Sequence, residues 1–553
     1  MAERAGMKKI AIGKGIAAFM CLLCLLSCGK QERQDNGQSR ILNLSLDTEV
    51  STLDAQAAVD SASLEVIGSM MEGLYFMDQD DRPVPAIAER EEVSEDGLVY
   101  RFYLRDSFWS DGSPVTAEDF VYGFQRAADP SLANENAFLL ETAGILNGKK
   151  AAEGQVPLSS LGIRAVDEKV LEIILERPVP YFCSMLAFPL FFPAKKEFVE
   201  QWDSGYARTG DAILCNGPYM MDSYSPSGLS FTLKRNPFYR GKTGKIDEIH
   251  YQVIRDSQQA LLAYQKGELD VAPLSGGQAE LLKEQEEFHS FLLGSLWYIS
   301  PNQRVRGLEN KNLRKALAIS FNREAAAEYI MKDGSFPAGF AVPWGMGRGP
   351  DGRDFREDGR TYLAYDREQA AEYWEQAKME MGIGEGEILS YTLLVEDTQA
   401  AFLLAQYFQN QIQESLPGIQ IQVEQVPKKV RLARMREGDY ELGLVRWGGD
   451  YGDPTAFLQM WTTDSPYNYG SWSEETYDAM LSYGIKGFQK GEEEERWEVL
   501  KQAEAMVMEE AVIFPICQKA NAFMVRKGLS GMEFHPVGIN RVFWMVEKEE
   551  EKG

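Results

Sequence analysis

Residues 441–458 carry the strongest local structural signal in this chain. They begin as an apolar run typical of a β-strand, break at Gly448 and Gly449, and restart with helical character after Asp453-Pro454. Aspartate before proline favours a helix start, because the carboxylate caps free N–H groups and proline fits the first turn. Strand-to-helix junctions are where α/β proteins place ligands. The sequence therefore predicts a ligand site at residues 447–451.

Asp450 lies inside this junction and has no structural role that its neighbours explain. A carboxylate between the rings of Trp447 and Tyr451 is costly to bury unless a cation pairs with it. Arg446 is the obvious basic neighbour, but alternation along a strand directs its side chain to the opposite face. We therefore expect the missing cation to belong to the ligand.

Strand and helix patterns alternate along the whole chain. Residues 42–46 are apolar at every second position, which indicates a strand. Thr116 followed by Asp119 is a capping-box variant that starts a helix, and Asp129-Pro130 ends it. Mixed elements over this length predict an α/β or mixed α+β fold with two or three domains. Residues 345–359, rich in Gly, Arg and Asp, are predicted to form a solvated loop.

The N-terminal segment has the pattern of a secretory leader. Basic residues precede an apolar core at 16–26, which is too short to span a bilayer permanently. Leu25-Leu26-Ser27-Cys28 looks like a bacterial lipobox, in which cleavage leaves a lipid on Cys28; the alternative is an ordinary signal peptide with an incidental cysteine. We predict a signal peptide at 1–27, a polar tether at 28–40, and lipid anchoring to the outer face of the cytoplasmic membrane.

The composition excludes some classes of partner. The net charge is −27, and loss of the basic leader makes the chain still more acidic. Repulsion from phosphate therefore argues against a nucleic-acid partner. Three cysteines remain after Cys28, and they allow at most one disulfide: Cys183, Cys215 and Cys517. We expect them to be small buried hydrophobes.

Seven short segments occur in a characteristic order. They lie at 53–54, 71–74, 109–122, 216–219, 234–237, 267–270 and 447–457, and include Asn216-Gly217-Pro218-Tyr219 and Lys234-Arg235-Asn236-Pro237. Together they resemble the family 5 extracellular solute-binding proteins, and within them the peptide-binding members that serve ABC importers. The resemblance runs from about residue 41 to about residue 545.

The resemblance implies a two-lobed fold that closes over a ligand by a hinge. Lobe I would consist of 41–71, 214–297 and 519–546; an extra subdomain would occupy 72–213, and lobe II 298–518. The chain would cross the hinge at about 297 and 518. The resemblance also implies that the protein is a monomer whose ligand is a short peptide. Its partners would be the permease and ATPase subunits of an ABC importer, and it would need no cofactor.

Roles for the predicted site follow from the same resemblance. In peptide-binding relatives, the aspartate in the position of Asp450 pairs with the terminal ammonium of the ligand. Trp447 and Tyr451 would wall the pocket, with plain core packing as the alternative for each. The backbone of Gly448 would pair with an extended ligand. Three residues of lobe I would supply opposing backbone contacts: Val59, Asp60 and Ser61.

Four positions depart from the peptide-binding pattern. Leu444 and Met435 stand where relatives have arginines that help receive the ligand's carboxylate end. Lys428 and Asn136 replace a tryptophan and a tyrosine. Nearby arginines could substitute for the missing ones: Arg434, Arg436 and Arg446. The sequence therefore leaves the preferred peptide length open.

The chain lacks the sequence motifs that would indicate a secreted hydrolase. The chain has no Gly-x-Ser-x-Gly and no His-Glu-x-x-His, and its three histidines are dispersed: His250, His289 and His535. We therefore expect no catalytic triad and no zinc or nickel site. Asp450 and Asp453 could mimic a glycosidase pair, but Asp453 already serves as a helix cap. Two rival functions stay open: binding of an oligosaccharide or other small solute by a member of the same family, and action as an extracellular chaperone or sensor.

Overall fold

The computed structural model describes residues 40–224 and 228–549. The predicted signal peptide, Cys28 and the tether up to residue 39 lie outside these ranges. No helix within the two ranges is both long enough and apolar enough to cross a membrane.

Twenty-one strands run through the described chain. In chain order they are Ile41–Leu46 (β1), Tyr75–Met77 (β2), Pro83–Pro85 (β3), Ala88–Val93 (β4), Val99–Leu104 (β5), Ile163–Asp167 (β6), Val170–Ile174 (β7), Tyr219–Ser223 (β8), Ser230–Arg235 (β9), Glu248–Val253 (β10), Val271–Leu274 (β11), Phe288–Pro301 (β12), Phe336–Pro337 (β13), Leu389–Glu396 (β14), Ile419–Val426 (β15), Leu442–Gly448 (β16), Phe514–Val525 (β17), Leu529–Ser530 (β18), Glu533–Phe534 (β19), Arg541–Val542 (β20) and Glu547–Lys548 (β21).

Sixteen α-helices lie between these strands in the same ranges. They are Ser61–Met70 (α1), Ala117–Ala127 (α2), Leu139–Thr142 (α3), Gly148–Ala152 (α4), Phe182–Met185 (α5), Lys196–Trp202 (α6), Ser257–Gln265 (α7), Gly276–Leu282 (α8), Lys311–Ile319 (α9), Arg323–Ala325 (α10), Arg367–Met381 (α11), Gln399–Ser415 (α12), Lys428–Glu437 (α13), Thr455–Leu458 (α14), Glu475–Ser482 (α15) and Glu493–Glu509 (α16). The predicted mixed α+β class is confirmed. The capping box of α2 is confirmed too, since Asp119 accepts a bond from the Thr116 N–H at 2.9 Å.

Three sheets of four or more strands contain most of the strands, and the other strands form two-stranded pairs. A four-stranded sheet has the order β1-β10-β9-β8, with β1 parallel to β10. A second four-stranded sheet, β4-β5-β7-β6, is antiparallel. The largest has the order β11-β17-β12-β16-β14-β15, with β13 beside β17. Within it β14, β15 and β16 are mutually parallel, so their carboxyl ends lie on one edge, where α/β sheets commonly place ligands.

Two long neighbouring strands contain the predicted hinge crossings. Residue 297 lies in β12 and residue 518 in β17, and these strands pair antiparallel with a register shift between Leu292 and Leu296. The buried Gln518 side chain spans this irregularity by donating to the carbonyl oxygens of Leu293 and Trp344, both at 2.9 Å. The side chain thus supplies hydrogen bonds where the regular ladder is interrupted.

Candidate ligand-binding site

A cavity of about 450 Å³ lies where five segments of the chain meet. Parts of residues 75–83, 180–192, 345–354, 450–452 and 535–544 form its wall. Large apolar side chains contribute much of that wall: Phe76, Met185, Phe188, Val537, Ile539 and Trp544. This volume falls within the range of roughly 300–1,000 Å³ that small-ligand sites occupy.

Asp450 lines this cavity without a partner. Its carboxylate has no hydrogen bond and no ion pair to any residue within 40–224 and 228–549. Burial alone raises the pKa of Asp450 to about 6. The side chain nevertheless keeps accessible area, because an atom on a cavity wall can be reached by water while protein surrounds it. Asp450 is therefore an acid on the cavity wall that is exposed to solvent on one side and surrounded by protein on the others.

Asp453 lies three residues further along the chain, and both of its carboxylate oxygens have partners in the protein. Its Oδ1 accepts bonds from the Thr455 backbone N–H at 3.0 Å and the Thr455 hydroxyl at 2.6 Å. Asp453 thus caps a backbone N–H as predicted, but the helix begins at Thr455, one residue later than predicted, with Pro454 before it. Arg496 of α16 also binds both carboxylate oxygens, at 2.8 and 3.0 Å, and both side chains are buried. Burial opposes the charge on Arg496, but Asp453 raises the pKa of that guanidinium above its ordinary value.

Trp447 and Gly448 lie beside the cavity rather than on its wall. The half-buried Trp447 ring packs on the exposed Tyr467, with 4.8 Å between ring centroids, and its indole N–H donates to the Ala456 carbonyl. Burial, with a smaller contribution from Asp450, raises the pKa of Tyr467. Tyr467 is therefore a further aromatic neighbour of Asp450. Sequence reasoning missed it because it follows a separate helical turn.

Gly448 ends β16 and pairs with Ser295 of β12. On the other edge, β16 pairs with β14 only at Leu442 and Gly443. Within the described strands, the edge of β16 from Leu444 to Gly448 therefore lacks a ladder partner on the β14 side. Such an edge can accept an extended ligand backbone.

Tyr451 belongs both to the cavity wall and to the core. Its ring is buried and stacks on Tyr181, with 4.9 Å between centroids and 23° between planes. Its hydroxyl and the Thr455 hydroxyl lie 3.1 Å apart. Core packing therefore accounts for most of the environment of this ring.

The predicted lobe I contacts are not on the wall of this cavity. Asp60 caps α1, and its carboxylate accepts a bond from the Ser63 N–H at 2.9 Å. Val59 and Ser61 are exposed on either side of it. Asn136 donates to the neighbouring Ala58 carbonyl at 3.1 Å. A ligand role for residues 59–61 stays a prediction.

The three substitute arginines have different environments. Arg434 is paired with Glu424 at 2.8 Å and Asp439 at 3.0 Å. Arg446 lies over the Trp297 ring, 5.8 Å from its centroid, and does not pair with Asp450. Arg436 is exposed on α13.

Residues 345–359 form the predicted loop and many of them are exposed, but the loop is not solvated along its whole length. Met346, Phe355 and Arg356 are buried, and the loop forms part of the cavity wall. The buried Glu504 of α16 pairs with Arg356 and accepts the N–H groups of residues 341 and 342 at 3.0 and 2.8 Å. A distant acid thus offsets the cost of burying the Arg356 guanidinium, and no local sequence pattern indicates this pairing. Helix α16 therefore contacts two loops. Glu504 pairs with Arg356 in the loop at 345–359, and Arg496 pairs with Asp453 in the loop that contains Asp450.

Candidate metal ligands and cysteines are dispersed in the described residues. Within 40–224 and 228–549, no group of three or more His, Cys, Asp or Glu side chains could hold a metal ion. The three cysteines in these ranges are free, and two of them, Cys215 and Cys517, are buried.

Comparisons with known proteins agree with this architecture. Residues 82–469 match the family model described as bacterial extracellular solute-binding proteins, family 5 Middle. The chain is 30% identical over 546 residues to the dipeptide-binding protein of Lactococcus lactis subsp. cremoris (strain MG1363), covering 96% of this chain and 97% of the relative. It is 29% identical over 527 residues to the oligopeptide-binding protein OppA of Bacillus subtilis (strain 168), covering 92% and 94%.

A solved structure supports the same relationship. The structure of Listeria monocytogenes OppA bound to peptide superimposes with a TM-score of 0.74 at 30% identity, covering 93% of this chain and 100% of that one. The likeness confirms the predicted two-lobed fold.

Proposed function

Because this chain belongs to the family 5 bacterial extracellular solute-binding proteins, we propose that it binds short peptides with a free N-terminus as the receptor of an ABC importer. The relatives named above as dipeptide- and oligopeptide-binding proteins support this ligand class. In this proposal, Asp450 binds the terminal ammonium of the peptide.

The unpaired carboxylate of Asp450 carries the proposal. An acid on a cavity wall that has no partner in the protein gains most from a ligand that brings its own positive charge. An ammonium would supply that charge together with N–H donors for the carboxylate. A neutral sugar would leave the charge of Asp450 uncompensated, so the geometry favours a peptide over an oligosaccharide.

The remaining predicted contacts complete the proposed binding mode. The unpaired edge of β16 at Gly448 would hydrogen-bond the peptide backbone, as in strand addition. Trp447 and Tyr451 would wall the ammonium end, and Val59, Asp60 and Ser61 would contact the ligand from lobe I. Backbone recognition of this kind tolerates different side chains.

Titration calorimetry tests the ligand class. We expect a short peptide with a free N-terminus to bind, and its N-acetylated form to bind about a hundredfold more weakly, because acetylation removes the charge that pairs with Asp450. Equal binding of both forms would contradict the role of Asp450. Binding of an oligosaccharide in place of both would establish the sugar-binding function instead.

The transport role adds a membrane anchor and partners. Cys28 would carry the lipid that holds the protein at the outer face of the cytoplasmic membrane, close to the permease and its ATPases. We expect Cys28→Ser to release the protein into the soluble fraction, as measured by fractionation and immunoblotting. Retention of this variant in the membrane would argue against the lipid anchor.

Ligand capture would involve closure of the two lobes about β12 and β17. The lobes would have the boundaries predicted above, with the extra subdomain at 72–213 and the crossings at about 297 and 518. X-ray scattering should then show a monomer whose radius of gyration decreases when peptide is added. An unchanged radius at saturating peptide would contradict closure.

A further inference from the structure

Helix α13 carries the densest run of basic residues in the chain. Five of the nine residues from 428 to 436 are lysine or arginine, whereas the whole chain has 57 basic and 84 acidic residues. The helix lies between β15 and β16, two strands of the largest sheet. A basic helix in an acidic protein is typical of a surface that contacts an anionic partner.

Two of the five bases have partners within the fold. Arg431 is buried, and its guanidinium lies 3.6 Å from a carboxylate oxygen of Glu396 at the end of β14. Arg434 pairs with Glu424 at 2.8 Å and with Asp439 at 3.0 Å. These contacts attach the helix to the sheet, so they determine which side of α13 faces solvent.

The other three bases are exposed and unpaired. Lys428, Lys429 and Arg436 form no ion pair and no side-chain hydrogen bond within the described part of the chain. Lys429 and Arg436 are seven positions apart, which places them on one face of the helix. Arg304 extends this face past the end of α13, because its exposed guanidinium lies against Gly438. Together the four bases form a surface that we call the basic face.

Acids are scarce among the exposed residues of this helix. Glu437 is the one acid on the exposed side of α13, and the other exposed residues there are the three bases and two small apolar residues, Val430 and Ala433. In a chain with a net charge of −27, such a face is the side that an anionic surface attracts.

The basic face borders the candidate ligand site. Burial raises the pKa of Tyr467, and the charges of Asp450 and Arg436 act on the same hydroxyl with opposite signs. Both charged groups therefore lie near the Tyr467 ring, which packs on Trp447. The basic face and the ligand site are thus neighbours on the protein surface.

We propose that the basic face binds the anionic headgroups of the membrane surface. This inference rests on the proposed function, in which an acyl chain on Cys28 holds the protein at the membrane. A polar tether limits the distance to the membrane, but it does not select the side of the protein that faces it. Contact through the basic face would make that selection and would place the ligand site close to the membrane, where the permease lies.

The expected contact is weak and depends on salt. A lysine or arginine close to an anionic membrane contributes about fivefold to binding. Screening at physiological ionic strength reduces this contribution, because the Debye length is then only about 8 Å. The basic face would therefore orient the anchored protein rather than anchor it, and release of Cys28→Ser from the membrane is still expected.

Flotation with lipid vesicles tests the inference. The protein used is the predicted mature chain from residue 28 with Cys28→Ser, which carries neither the leader nor an acyl group. At low salt we expect it to bind vesicles of phosphatidylglycerol and phosphatidylcholine in equal parts, but not vesicles of phosphatidylcholine alone. The further substitutions Lys428→Gln, Lys429→Gln and Arg436→Gln, made together, should weaken this binding about a hundredfold.

The matched control replaces three exposed lysines outside the basic face by glutamine: Lys150, Lys242 and Lys266. It changes the net charge by the same amount, so it should bind the anionic vesicles as the parent does. An equal loss of binding in both variants would overturn the inference, because net charge would then control binding. Equal binding to neutral vesicles would exclude recognition of headgroup charge. Absence of binding to anionic vesicles would also overturn it and would favour an acidic protein surface as the partner.

These outcomes are distinguishable from failure of the proposed function. Peptide titration needs no vesicles, so a protein that binds peptide but not anionic vesicles keeps the proposed function and lacks the membrane contact. A protein that binds the vesicles but no peptide keeps the membrane contact and loses the proposed function.

Discussion

Asp450 and Asp453 lie three residues apart in one loop, and their environments are opposite. Asp453 is buried against Arg496 and caps α14, so its charge is neutralised within the protein. Asp450 lines a cavity with no partner in the described ranges, and burial raises its pKa to about 6. One carboxylate is neutralised inside the fold, and the other is the one that we propose to pair with the ammonium of a ligand. Four predictions test this contrast, in order of decreasing expected effect.

Arg496→Met should destabilise the protein most strongly. The substitution leaves the charge of Asp453 buried and unpaired, which costs about 3–5 kcal/mol of unfolding free energy. Urea denaturation followed by circular dichroism measures the loss. The double variant Arg496→Met with Asp453→Asn removes both charges and should recover much of the stability. A single variant as stable as wild type would mean that the pair contributes little.

Asp450→Asn should impair binding rather than folding. Loss of the carboxylate removes the partner of the ligand ammonium, so we expect a drop in peptide affinity of about a hundredfold, near 3 kcal/mol. Calorimetry measures the change, and the N-acetylated peptide is the control because its weaker binding should not change further. Wild-type affinity for the free peptide in this variant would remove Asp450 from the binding site.

Peptide affinity of the wild type should fall as the pH decreases through about 6. Below that pH the free protein carries a protonated Asp450, which must lose its proton to pair with the ammonium. The expected loss is about tenfold for each further pH unit, since one pKa unit corresponds to about 1.4 kcal/mol. Titrations below the pKa of the peptide amine report it, and Asp450→Asn should give a flat profile. A wild-type profile just as flat would show that Asp450 does not titrate in this range.

The ligand-free protein should gain stability when Asp450 is neutralised. Its pKa is raised from 3.8 to about 6 in the folded state, so the folded protein holds this proton more tightly than the unfolded chain. The resulting destabilisation is complete above about pH 6 and absent below about pH 4. Asp450→Asn should therefore melt at a higher temperature than wild type at neutral pH, but not at pH values below about 4. An equal melting temperature at neutral pH would show that Asp450 is well solvated.

Much of the fold was predictable from local patterns. The alternation at Leu42, Leu44 and Leu46 corresponds to β1, and the Thr116 capping box begins α2 at Ala117. The break after β16 also lies at the predicted position. Each of these signals depends on residues that are close in sequence, where backbone geometry and capping are decided locally.

The site was only partly predictable. Asp450 could be singled out because its neighbours in the chain offered no partner. The wall formed by residues 345–354 could not, since a run of Gly, Arg and Asp has the composition of a loop in solvent. Burial of Arg356 in that loop depends on Glu504, which pairs with it from 148 residues away. No sequence pattern within the loop indicates that Arg356 will be paired with this distant acid.

The sequence by itself determined the element types, the cap at Asp453, and the presence of an acid at position 450 that lacks a local partner. Only the tertiary structure decided which of the two aspartates would be neutralised, because Arg496 lies on α16, far along the chain from both. It also decided that Asp450 and the loop at residues 345–354 share one cavity. Charge pairing depends on distances in space, and packing of α16 against the two loops sets those distances.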